Sequence, residues 1–85
     1  MTKLKDDSDF SEYRDRHPGV VGILRFLEYG HLPEGSIRET SKLFAGLARE
    51  LLNRLGDDPE LAVALRKLRE AKDCAVGLVA TGRNR

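Results

Sequence analysis

The chain has 85 residues, 40% of them hydrophobic and 34% charged, with three Phe, two Tyr and no Trp. That length supports one hydrophobic core, and a thin one, which excludes two independent domains and favours self-association. Fifteen basic against 14 acidic side chains leave a formal charge of +1, which argues against gripping a nucleic-acid polymer through bulk positive charge.

No apolar run approaches the length of about 18 residues that spans a membrane. Met1-Thr2-Lys3 leads into acidic residues instead of an apolar run, so no secretory leader is expected. A single cysteine, Cys74, excludes an intramolecular disulfide and fits a reducing cytoplasm.

Residues 1–15 carry Asp6, Asp7, Asp9, Glu12 and Asp15 against Lys3, Lys5 and Arg14, and read as a flexible acidic tail. Residues 16–85 then form one mildly basic domain, whose first helix is expected over residues 18–29. It starts at His17-Pro18-Gly19, with Pro18 at the first helical position and Val20, Ile23, Leu24 and Leu27 at helical spacing. Gly30 to Gly35 breaks the pattern, and Ser36 with Glu39 reads as a capping box for a second helix over 36–55.

The expected apolar face of the second helix is Ile37, Leu43, Phe44, Leu47, Ala48, Leu51 and Leu55. Gly56-Asp57-Asp58-Pro59 is the sharpest turn signal: Gly56 suits a left-handed helix end, Asp58 a cap and Pro59 a helix start. A third helix follows over 59–80, striped by Leu61, Ala64, Leu65, Leu68, Ala71, Ala75 and Leu78.

Two long helices joined by a four-residue turn must lie antiparallel. The fold class is therefore all-α: a short N-terminal helix followed by a long antiparallel helical hairpin, assembled as a homo-oligomer. Leu52, Val63, Val76 and Val79 are left for contact with another chain, and Thr81 to Arg85 reads as a frayed basic end.

No catalytic motif is present. Cys74 lies next to the apolar stripe and reads as an inert core thiol. Neither His17 nor His31 has a second His or Cys at helical distance, so no metal site is expected. No cofactor is called for. The turn joins helices too long for a helix-turn-helix, and the mixed charges of the third helix, spaced Arg66 to Glu70 and Arg69 to Asp73, read as a solvated face.

The informative segment is Phe26-Leu27-Glu28-Tyr29-Gly30-His31-Leu32-Pro33, followed by Ser36, Arg38, Ser41 and Lys42. An aromatic ring that stacks on a base, an imidazole, hydroxyls, and two cations one helical turn apart make a nucleotide-binding set. The N–H groups of a helix start at Ser36 add affinity for an anion, and Gly30 would let a guest approach the backbone. The competing reading makes Tyr29 a half-buried helix-end aromatic and Leu32 a core contact.

The stretch from Gly56 to Ala75 resembles a group of small bacteriophage helical-hairpin proteins related to anti-CBASS and anti-Thoeris sponges. Pro59, Glu60, Ala64, Leu65, Lys67, Leu68, Glu70, Ala71, Lys72 and Asp73 carry the likeness. It implies a non-catalytic α-helical oligomer, a hexamer in known sponges, that captures cyclic nucleotide immune signals in the cytoplasm of a host bacterium.

The resemblance further implies that Tyr29 stacks on a base and that Lys42, slightly displaced from the family's spacing, meets phosphate. Arg66 matches the Arg of a cyclic-trinucleotide site, although the hydroxyl that accompanies it in the family has no counterpart nearby. The helix over 18–29 is an addition to the family's pattern.

Two functions are thus expected. One is a phage anti-defence sponge that sequesters cyclic dinucleotides, cyclic trinucleotides or cyclic ADP-ribose isomers at subunit interfaces. The alternative is a structural or adaptor hairpin that binds only protein. Tyr29 shared between two chains favours the first; Tyr29 packed inside its own subunit favours the second.

Overall fold

In the computed structural model, which describes residues 8–82, two prolines open helices where a missing N–H leaves no bond unmade. Pro18 begins α1 (Pro18–Leu24), and the Gly19 N–H donates to Nδ1 of the capping residue His17 at 2.9 Å. Pro59 begins α3 (Pro59–Thr81), and the Asp58 carboxylate accepts from the Glu60 N–H at 2.9 Å. Between them lies α2 (Ser36–Arg54). Every regular element among the described residues is helical.

α1 is shorter than the 18–29 helix expected from spacing. Its last turn tightens to a 3-10 turn over Arg25–Leu27, and Glu28 is already extended. Three residues per turn place Leu24 and Leu27 on one side, where both are buried.

The expected capping box of Ser36 and Glu39 does not form. Gly35 is the capping residue, with a φ of 143° that side chains rarely tolerate, and its carbonyl accepts from the Glu39 N–H at 3.0 Å. The expected left-handed end at Gly56 is also absent, because Leu55 leaves α2 in extended conformation.

A distant arginine caps that helix end instead. The Arg16 guanidinium donates to the carbonyls of Leu52 and Leu55 at 2.9 and 2.7 Å, and its Nε donates to Asp57 at 2.7 Å. Carbonyls that a helix leaves unpaired are thereby satisfied. The other Asp57 oxygen accepts the His17 N–H at 2.7 Å. That backbone bond, reinforced by Arg16, holds the Asp57 carboxyl below its ordinary range.

The core gathers Phe10, Val20, Leu24, Leu27, Tyr29, Ala45, Ala48, Leu52, Leu61 and Leu65. α2 and α1 both pack on α3. The buried side of α2 is Ser41, Ala45, Ala48 and Leu52, rotated from the leucine-rich face expected from sequence. Small side chains on that side let the neighbouring helices approach closely, and Leu43, Leu47, Leu55 and Ile37 stay exposed.

Leu52, expected at a chain–chain contact, is therefore a core residue. The α3 stripe is buried only at Leu61 and Leu65; Ala64, Ala71 and Leu78 are exposed. Cys74, expected in the core, is exposed as well.

Residues 8–15 do not behave as the loose tail expected over 1–15; residues 1–7 lie outside the described residues. Ser8 and Phe10 are buried, and a 3-10 turn spans Ser11–Tyr13. Arg49 of α2 fixes this segment by donating to the Asp9 carbonyl at 2.6 Å, pairing with Glu12, and lying 4.9 Å from the Phe10 ring centre and 5.5 Å from that of Tyr13. The Tyr13 hydroxyl donates to Asn53 at 2.6 Å. Among the described residues no helix is long and apolar enough to cross a membrane.

Candidate functional site

The segment expected to bind a nucleotide divides into residues spent on the fold and residues left open. Tyr29 belongs to the first group, with 5% of its surface exposed. Its N–H donates to the Ser8 carbonyl at 3.1 Å, and the Arg38 guanidinium lies 5.2 Å from its ring centre. Arg38 Nη1 donates to the carbonyls of Tyr29, Gly30 and Leu32 at 3.2, 3.2 and 2.8 Å, locking the loop that leads into α2.

Neither the Tyr29 ring nor Arg38 is placed to meet a guest within the single chain. Gly30 likewise serves the fold: a Cβ there would stand 2.4 Å from Ser8 Oγ, so the close approach it permits is that of the chain's own Ser8.

His31 and Ser41 come together in a groove between the loop after α1, the start of α2 and the later part of α3. Phe26, Arg25, Glu28, Leu32, Ile37, Lys72 and Val76 complete its lining, and the cavity is about 250 Å³. The Phe26 ring is 43% exposed, with the Arg69 guanidinium 3.7 Å from its centre and that of Arg25 5.8 Å away. Lys72 Nζ lies 3.0 Å from Asp73, and Arg69 Nε lies 3.6 Å from the same carboxylate. Arg25 and Lys72 give the groove more positive than negative charge, with Glu28 opposing them and the His31 imidazole beside them.

The remaining expected residues lie elsewhere. Ser36 is exposed at the first position of α2, and Lys42 is exposed without lining the groove. Arg66 is exposed and stands one residue off the row of Leu65, Arg69, Lys72 and Val76 that turns toward Phe26.

Sequence reasoning included Phe26 in the informative segment without giving it a role, and read Arg69 and Lys72 as part of a solvated face. The available signal was the spacing of Arg69, Lys72 and Val76, which continues the core row from Leu65 along one side of α3.

Two other cavities lack this mixture. One of about 270 Å³ is apolar and backs onto the His17–Asp57 junction. Another, of about 490 Å³, is wide open and runs from Asp9 to Glu28 beside Arg14 and Arg25. No group of acidic, His and Cys side chains suited to a metal ion occurs among the described residues. Compared with family models, curated proteins and solved structures, the chain matches none.

Proposed function

We propose that this chain is a non-catalytic binding protein that assembles with copies of itself and sequesters cyclic nucleotide signals at the subunit interfaces. In this reading α2 and α3 form an antiparallel hairpin, and the Phe26 groove is half of each ligand site. The observation that carries it is the groove's chemistry: an exposed aromatic ring under a guanidinium, beside an ammonium, an imidazole and a hydroxyl.

A base stacks on such a ring, and cations beside it meet phosphate. At about 250 Å³ the groove falls below the roughly 300–1,000 Å³ of ordinary small-molecule sites, so a second copy supplies the rest. A near-twofold guest such as a cyclic dinucleotide suits a twofold interface. The likeness of residues 56–75 to phage sponge proteins supports the same reading and a host bacterial cytoplasm as its setting.

Base stacking passes from Tyr29 to Phe26 in this account, and the phosphate contacts from Arg38 and Lys42 to Arg25 and Lys72. The test is to incubate the full chain with cyclic dinucleotides, cyclic trinucleotides and cyclic ADP-ribose isomers, then release bound material by heating. Recovery of one of them intact, lost in Phe26→Ala and Lys72→Ala, is expected; no retention of any member refutes the reading.

A specific observation favours the second reading, a helical adaptor that oligomerises and binds only protein. Tyr29 and Arg38 are both committed inside one subunit. The adaptor predicts that Phe26→Ala and Lys72→Ala leave every binding property unchanged.

A further inference from the structure

α2 has a second apolar side. Leu43 and Leu47, one turn apart, are 72% and 51% exposed on the side away from Ala45 and Ala48. Half-buried Leu51 continues the row one turn further on. We infer that a second copy of this chain covers this row, with the two α2 helices antiparallel about a twofold axis at Leu47. The inference deepens the self-assembly half of the proposed function and rests on it; the Phe26 groove, on the Ser41 side of α2, meets its copy at a separate interface.

Charge selects both the occupant and the direction. Glu39 lies near the start of the row and Arg54 at its end, on the same flank, with Glu50 between them. In antiparallel register Leu47 meets its own copy, Leu43 meets Leu51 of the second copy, and Glu39 comes opposite Arg54 of the second copy. The twofold axis makes each of these unlike contacts twice. A parallel pair would instead leave Glu39 and Arg54 of the two copies at opposite ends of the seam, with no unlike contact between them. Gly46, beside Leu47, adds no side chain to hold the helices apart.

The test is the mass of the full chain across a concentration series without nucleotide, by analytical ultracentrifugation. The parent chain is expected to associate, and Leu47→Lys to sediment as a single chain with its helical circular dichroism retained, because that side chain is outside the core. Glu39→Arg and Arg54→Glu are each expected to weaken pairing by about tenfold, a change of roughly 1.4 kcal/mol, and the double variant Glu39→Arg/Arg54→Glu to recover it.

Direction is read by disulfide trapping in a Cys74→Ser background. Mixed Glu39→Cys and Arg54→Cys chains should cross-link to each other faster than either does to itself. A single-chain mass for the parent at every concentration, an unchanged mass for Leu47→Lys, or no recovery in the double variant overturns the inference. Association without nucleotide retention would refute the ligand reading alone, and nucleotide retention by assemblies whose mass Leu47→Lys leaves unchanged would refute this pairing alone.

Discussion

The two apolar sides of α2 differ mainly in side-chain size. Ser41, Ala45, Ala48 and Leu52 form the covered side, and the larger Leu43 and Leu47 form the bare one. Burial here follows closeness of approach more than hydrophobicity: Ser41, Ala45 and Ala48 let α3 and the 3-10 turn after α1 come near, Leu52 is the one large side chain among them, and Leu43 and Leu47 are left over. A helix apolar on both sides separates folding from association, and substitutions on the two sides should have different consequences.

The largest effect should come from the core on which the covered side packs. Leu65, fully buried on α3, should lose about 2–5 kcal/mol of folding stability as Leu65→Ala, the range for large-to-small core changes. Urea unfolding measures it, and a loss near zero would mean that the core is not where the packing places it.

Arg38→Ala is next. It removes the donor shared by three loop carbonyls and the cation over Tyr29, and should cost about 1–3 kcal/mol. A ligand-binding Arg38 would predict no loss of stability, so the same unfolding curve sharpens the division between scaffold and site.

Asp57 gives a pH-dependent version of the comparison. Its pKa is held down in the folded chain, first by the His17 N–H and then by Arg16, so it contributes stability above its unfolded value of about 3.9. That contribution disappears as pH falls through the lowered folded value. Asp57→Asn should flatten the acid limb of stability below about pH 4 and leave association at neutral pH unchanged.

The smallest effect on folding belongs to the bare side. Leu47→Ala should change monomer stability by no more than about 0.5 kcal/mol while weakening self-association. Thermal melts at low concentration, set beside sedimentation at high concentration, separate the two quantities.

Much of the helical layout was legible because it rests on local chemistry. Pro18, Pro59 and Asp58 act on neighbouring residues, and each marks a helix start in the structure as in the sequence. Gly35 displaced the capping box because its backbone conformation, invisible in composition, sets the turn.

What escaped the sequence depends on contacts between distant residues. Arg16 reaches Leu52, Leu55 and Asp57, Arg49 reaches Asp9 and Glu12, and no short-range pattern announces either. The candidate site shows the same division. Of the residues expected to bind a ligand, His31 and Ser41 both line the groove, but Phe26 and Lys72 join them only because the start of α2 and the later part of α3 pack beside the loop after α1. Tyr29, expected to meet a base, is instead buried, because Ser8, from the expected tail, closes over its backbone.

Native mass spectrometry of the full chain with a cyclic dinucleotide tests most directly whether one small subunit supplies only half of a ligand site. The account predicts even-numbered assemblies carrying one intact nucleotide for each pair of chains, and free assemblies in Phe26→Ala. Single chains each holding a whole nucleotide, or assemblies that hold none of the panel, would contradict it.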